Sequence, residues 1–218
     1  MLNICEKYIT ISGEAPIIGE PTYLVRFSGC NLSCSYCDSI YKDEVQYRMS
    51  LEDIIEDIEQ IVRIYSDIKI LFTGGEPLLN KKEIVINKIA EYFDYLNFYI
   101  ETNGSIEISD FSNKNVHYVL DWKTPSSGCA NSFCKGNVKN LRMYNDCVKF
   151  VVGEEDLDWT RDKIDYILKR NPFISIYLSP QWGKIEASRL AEFIINNRLP
   201  VKLSIQLHKI IWGERRGV

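Results

Sequence analysis

Three cysteines within eight residues, Cys30-Asn31-Leu32-Ser33-Cys34-Ser35-Tyr36-Cys37, constrain this chain more than any other feature. Their spacing is C-x3-C-x2-C, and the loop starts just after the apolar run Tyr23-Leu24-Val25-Arg26-Phe27. A fold that contains it must end a strand there and hold three thiolates over one place. Iron–sulfur clusters are held by cysteine thiolates, and a cubane has four irons to ligate. Three thiols from one loop leave one iron open to a non-protein ligand, as a catalytic zinc keeps an open position. A structural zinc or a fully ligated ferredoxin-like cluster would need a fourth donor. The candidates are Cys5, Cys129, Cys134, Cys147 and the two histidines. An odd count of seven cysteines in 218 residues argues against a disulfide framework.

The rest of the composition narrows the setting. The length suits a single domain over residues 1–218 with a substantial core. The net charge is −4 and no basic stripe stands out, which argues against nucleic acid as a partner. No apolar run is long enough for a membrane span, and Met1 to Lys7 lacks the pattern of a signal peptide. Free thiols without an export signal point to a reducing cytoplasm.

Along the chain, strands and helices alternate. Residues 4–12 read as an extended lead-in, followed by a Gly/Pro-rich turn. Strands are expected at 22–28, 68–73, 97–101, 116–121, 147–152, 174–178 and, more weakly, 201–205. Helices are expected from Ser50-x-x-Asp53 and Asn80-x-x-Glu83, and over 157–169 and 185–196. Residues 122–137 read as a loop and the residues after 205 as a tail. Near-continuous apolar strands alternating with helices imply an α/β fold with a parallel sheet. About six strands are too few for a closed eight-stranded barrel, so a partial TIM-like barrel is expected.

In such folds the functional groups gather at the C-terminal strand ends. The cysteine loop, Gly74-Gly75-Glu76-Pro77, Glu101-Thr102-Asn103-Gly104 and Asp121-Trp122-Lys123-Thr124-Pro125 each follow a strand, so they should share one mouth. Adjacent glycines let backbone approach a ligand closely, although such a turn is as often structural. Asp38-Ser39 is either a loop cap or an oxygen donor pair suited to magnesium. Glu101 could orient a ligand or belong to an Asn-Gly turn. Arg26 must be paired if buried, and could grip a substrate carboxylate. Leu178-Ser179-Pro180-Gln181 sits at a later strand end. His208 is a ligand contact or a packed tail histidine.

The cysteine spacing, with an aromatic before the third Cys and Gly-Gly-Glu-Pro downstream, resembles the signature of the radical S-adenosylmethionine (SAM) enzymes. Further residues resemble the 7-carboxy-7-deazaguanine synthase family within them, most closely its clostridial members. They are Ser12-Gly13-Glu14, Leu24-Val25-Arg26-Phe27-Ser28-Gly29-Cys30, Cys37-Asp38-Ser39, Lys123-Thr124-Pro125-Ser126-Ser127-Gly128 and Gln206-Leu207-His208-Lys209-Ile210-Ile211-Trp212-Gly213.

The resemblance implies the radical SAM core fold. Cys30, Cys34 and Cys37 would hold a [4Fe–4S] cluster that reduces SAM, and Ser39 would ligate Mg2+. The radical so formed would take a hydrogen from C6 of 6-carboxy-5,6,7,8-tetrahydropterin. Ring contraction and loss of ammonia would then give 7-carboxy-7-deazaguanine, on the way to queuosine or another 7-deazapurine. Tyr36, Gly75, Glu76, Asp121, Trp122, Lys123, Leu178, Ser179, Pro180 and Gln181 would contact SAM. Ile11, Ser12, Gly13, Glu14, Arg26, Thr73, Glu101 and His208 would form the substrate pocket. The expected partners are the pterin, a reducing protein such as flavodoxin or ferredoxin, and a second copy in a homodimer, with no nucleic acid and no membrane. Departures from the family are Ser12-Gly13-Glu14-Ala15 for Gln-Gly-Glu-Gly, and Asp121-Trp122-Lys123 for Ser-Pro-Lys. Cys129 and Cys134 have no place in the pattern. Two rivals share parts of the signature: an activase that places a glycyl radical on a partner enzyme, and a non-enzymatic metal or electron-carrying module.

Overall fold

The strand that feeds the cysteine loop sits inside a nine-stranded sheet. The computed structural model describes residues 1–109, 112–213 and 215–218. Its strands are Leu2–Ile11 (β1), Pro21–Phe27 (β2), Tyr47–Met49 (β3), Lys69–Gly74 (β4), Phe98–Thr102 (β5), Val116–Asp121 (β6), Cys147–Val152 (β7), Ser175–Pro180 (β8) and Lys202–Leu203 (β9). Their order is β3-β1-β2-β4-β5-β6-β7-β8-β9. From β2 through β9 every neighbour is parallel and follows in chain order. The edge strands β3 and β9 do not pair with each other among the described residues, so the barrel is partial.

Two strands go beyond the expected parallel set. The lead-in is β1, paired antiparallel with β2 and with β3, and its register shifts between Ile4 and Glu6. Expected strand 201–205 shrinks to the two exposed residues of β9. The tail folds into a short helix, Leu207–Trp212 (α6), and the loop over 122–137 holds only short 3-10 turns.

Helices Leu51–Ile64 (α1), Lys82–Tyr92 (α2), Asn137–Asn140 (α3), Leu157–Leu168 (α4) and Ala187–Asn196 (α5) complete the fold. Ser50 starts α1 with the expected capping box: its hydroxyl accepts from Asp53 N–H at 3.1 Å, and its own N–H donates to the Asp53 carboxylate at 2.7 Å. The cap expected from Asn80 and Glu83 does not form. Asn80 and Lys81 are left-handed at φ of 59° and 61°, and Glu83 turns inward to accept from Ser109 and Tyr118.

Strand periodicity then sorts the side chains. Phe27, Phe72, Phe98, Leu120 and Phe150 join Ile54, Ile58, Ile86, Ile89, Ile164 and Leu190 of the helices in one apolar core. Phe72 stacks between Phe27 and Phe98, at 5.6 and 5.9 Å between ring centres. The alternate residues Arg26, Thr73, Glu101, Asp121 and Lys149 face the other way. They line a cavity, so the inner face is not the continuous apolar surface that the strand composition suggests.

Candidate active site

That inner face opens into a cavity of about 820 Å3, which also receives Cys30, Cys34 and Cys37. The cysteine loop is held against the β4 turn by backbone bonds. Gly75 N–H donates to Phe27 O at 3.1 Å and Glu76 N–H to Gly29 O at 2.8 Å. A Cβ on Gly75 would lie 2.1 Å from Gly29 O, and one on Gly74 2.5 Å from Phe27 O. The paired glycines are therefore required first by this loop–loop contact, and Gly75 lines the cavity as well.

Glu76 serves the same junction. Its carboxylate is fully buried and accepts from Leu78 N–H at 2.9 Å, Thr102 hydroxyl at 2.7 Å and Asn103 N–H at 2.9 Å. Burial pushes its pKa up despite those donors. It faces the β5 turn and does not line the cavity. Asn103 in turn donates to the Asn31 side chain at 3.0 Å and approaches Cys30 Sγ at 3.9 Å. On the far side, Ser35 N–H meets Ser127 O at 3.0 Å, tying the cysteine loop to Pro125-Ser126-Ser127-Gly128. Burial, and then the neighbouring Cys129 thiol, push the Cys34 thiol up to about 12, against the pull of Lys123.

On the cavity wall, charges from distant parts of the chain converge. Lys149 on β7 is 3% exposed and pairs with Glu14 and Glu101, with Asp121 3.7 Å away. Lys123 takes the same Asp121 oxygen at 2.9 Å. Gln206 donates to Glu14 at 2.9 Å, and Thr73 to Glu101 at 3.4 Å. Burial opposes the Glu14 charge, but the Lys149 ammonium and then the Gln206 amide outweigh it and hold its pKa at about 2. The three carboxylates likewise raise Lys149 well above the ordinary lysine range against its burial.

Arg26 is paired, as its position in an apolar strand demanded. Its Nε donates to Glu6 at 2.7 Å. Arg216 of the C-terminal tail donates to the other Glu6 oxygen at 3.0 Å, and lies 3.6 Å from the Tyr41 ring centre. Sequence reasoning missed Lys149, Glu6 and Arg216. A lysine alone within Val148-Lys149-Phe150 was the available signal for the first.

The remaining expected residues divide. Ile11, Ser12, Gly13, Tyr36, Ser39, Gln181 and His208 line the cavity. His208 is both packed and exposed to it: a Cβ on Gly13 would strike its ring at 1.9 Å, while Leu207 N–H bonds Gly13 O at 2.8 Å. The Ser12 hydroxyl is spent on its own loop, at Glu14 O, 3.2 Å. Trp122 does not line the cavity. Since Asp121 and Lys123 face inward, the strand turns Trp122 to the helix side, where it stacks on Phe133 at 4.0 Å. Leu178 is core for the same reason, and Ser179 and Pro180 are buried beneath the wall.

Three thiols of one loop suit a multi-iron cluster, each on its own iron. Among the described residues, no three His, Cys, Asp or Glu side chains gather around a single ion. Among the described residues, Asp121 Oδ1 in the cavity wall and Ser179 Oγ behind it are buried without a hydrogen-bond partner, so the polar capacity of this wall is not used up within the chain. The residues present thus fit a cluster with a polar small molecule at its open iron. No described helix is long and apolar enough to cross a membrane.

Comparison with known proteins agrees with this geometry. Residues 24–130 match the family model "Radical SAM superfamily". Full-length relatives include 7-carboxy-7-deazaguanine synthases from Clostridium acetobutylicum (35% identical, covering 99% of both chains) and Chlorobaculum tepidum (32%, 100% of this chain and 97% of that one). The one from Thermoplasma acidophilum is 31% identical over 99% of both. The fold matches a crystal structure of QueE from Escherichia coli with TM-score 0.70, at 21% identity, over 95% of this chain and 94% of that one.

Proposed function

The chain belongs to the radical SAM superfamily and, within it, to the 7-carboxy-7-deazaguanine synthase family, and from that premise we propose how its cavity works. It is a radical SAM enzyme of 7-deazapurine biosynthesis. Its reaction converts 6-carboxy-5,6,7,8-tetrahydropterin to 7-carboxy-7-deazaguanine with loss of ammonia. The observation that carries this reading is that one cavity receives both the three thiols and the charged inner face of the sheet.

Cys30, Cys34 and Cys37 would hold a [4Fe–4S] cluster, which together with bound SAM would supply electron transfer and hydrogen-atom abstraction. The protein places the reacting carbon and excludes water. Gly75 offers backbone to SAM, while Tyr36, Asp121, Lys123 and Gln181 surround it. Glu76, Trp122, Leu178, Ser179 and Pro180 support that wall from behind. Arg26, whose Nε is on Glu6, offers its other guanidinium N–H groups to the substrate carboxylate. Ile11, Ser12, Gly13, Glu14, Thr73, Glu101 and His208 enclose the ring system. The Ser39 hydroxyl, on the cavity wall 3.5 Å from the Asp38 carboxylate, would be the magnesium ligand.

The exposed residues Asn31, Ser33 and Ser35 of the cysteine loop leave an approach for a ferredoxin or flavodoxin. All seven thiols are free, which suits a reducing cytoplasm. The chain acts as one domain over residues 1–218. Exposed Leu203 on β9 and Ile210 and Ile211 on α6 suit contact with a second copy in a homodimer.

One anaerobic assay tests the reaction. The reduced, reconstituted protein is given SAM, magnesium and 6-carboxytetrahydropterin, and the product is followed by mass. Product that disappears in Cys34→Ala is the expected result. SAM cleavage without a deazapurine would replace this substrate and favour a glycyl-radical activase. No SAM binding at all would favour a non-enzymatic cluster or zinc module.

A further inference from the structure

The Lys149 ammonium is the best-buried charge on the cavity wall, yet the chemistry described above gives it no part. It holds carboxylates from separate elements: Glu14 from the loop after β1, Glu101 from β5 and Asp121 from β6. At 3% exposure it is covered by them, whereas Glu14 and Glu101 remain 19% and 25% exposed toward the cavity. Each of their four oxygens has one partner: Gln206 and Lys149 for Glu14, Lys149 and Thr73 for Glu101. A carboxylate oxygen can accept twice. Both groups therefore keep acceptor capacity on the side a ligand would occupy.

We propose that Lys149 is a positioning residue for the pterin. Its ion pairs hold Glu14 and Glu101 together at one point of the wall, where they accept the adjacent amine and ring N–H donors of the aminopyrimidinone. This deepens the functional reading above and rests on it. A planar pair of N–H donors matches a carboxylate bidentately, which a protonated carboxyl cannot reproduce. Without the ammonium, Glu14, Glu101 and Asp121 would face one another with only Lys123 to offset them, and Glu14 would lose the neighbour that chiefly holds its pKa down. The other titratable neighbours, His208 beside Glu14, Cys147 on β7, Tyr177 opposite Lys149 on β8 and Tyr99 on β5, are common to wild type and variant.

The test measures binding of the unreactive analogue 6-carboxypterin to the cluster-loaded enzyme with SAM, by fluorescence, from pH 6 to 9. Lys149→Met should bind about 10- to 100-fold more weakly than wild type at pH 6 and recover toward pH 9 as Glu14, no longer held down by the ammonium, ionises. Lys149→Arg should stay within about tenfold of wild type throughout, since it restores the charge. In turnover, Lys149→Met should raise KM for the pterin more than it lowers kcat. Unchanged binding in Lys149→Met overturns the proposal. So does a loss that is flat with pH and shared by Lys149→Arg, because that marks a structural role. If Lys149→Met fails to load its cluster, Glu14→Gln and Glu101→Gln decide: each should weaken binding about tenfold, and wild-type binding by both refutes the clamp. Wild-type protein that neither binds 6-carboxypterin nor forms the deazapurine overturns the functional reading itself.

Discussion

The two faces of one sheet meet different surroundings and obey different rules. On the helix side, Phe72 packs among Phe27, Phe98 and the helix isoleucines, and its contribution depends on shape and area. On the cavity side, one residue along, Thr73 touches Glu101, which binds Lys149, which binds Glu14. There the contribution of each residue depends on what the others carry. The first face can lose a member and remain the same kind of surface. The second is a set of charges that balance only together.

The comparison breaks most visibly on the core side. Phe72→Ala should lose about 3–5 kcal/mol of stability, as a large aromatic is deleted between two stacked rings. Urea unfolding measures it. The folded fraction should still load its cluster, because Cys30, Cys34, Cys37 and their backbone bonds to the β4 turn are untouched. A loss under about 1 kcal/mol would mean that the rings re-pack and that this face is less rigid than it looks.

On the cavity side, Glu101→Gln exchanges one oxygen for an amide at nearly constant volume. Lys149 keeps Glu14 and Asp121, so stability should shift by no more than about 1–2 kcal/mol. Activity should nevertheless fall about 10- to 100-fold in kcat/KM, since a carboxylate acceptor is lost. Product formation and unfolding, measured on the same preparation, would show whether function and stability separate between the faces as argued.

How far the sequence reveals each face follows from the same physics. Apolar residues at period two and at helical spacing mark the helix side directly, so β2, β4 to β8 and α1, α4 and α5 are found close to where they fold. The C-terminal strand ends locate the mouth, and the cysteine loop marks its floor. What stays hidden is pairing at long range. Nothing near Lys149 in the chain announces Glu14, which is 135 residues away, nor does Glu6 announce Arg216, 210 residues away. The family resemblance puts Trp122 at the mouth with Asp121 and Lys123, and no sequence pattern there shows that its ring lies on the opposite side, against Phe133. β1 is read only as an extended lead-in and β3 is not found, because the antiparallel strands beside the parallel set carry a mixed pattern.

pH separates the faces with the smallest perturbation. The Glu14 pKa sits at about 2 in the folded chain against an ordinary value of 4.5. A depressed carboxylate pKa contributes stability that is fully present above the unfolded value and is lost as pH falls through the folded one. Glu14 should therefore help to hold the fold at neutral pH and cease to do so between about pH 4.5 and 2. Glu14→Gln should differ from wild type at pH 6 and converge with it as the pH drops across that window. Phe72→Ala has no titrating group to lose, so its deficit should stay constant over the same range. Urea midpoints of the cluster-free chains at pH 6, 4 and 3 make the measurement without interference from acid loss of iron. If both deficits shrink together, acid is loosening the whole sheet. If only the Glu14 deficit shrinks, the two faces contribute by different physics.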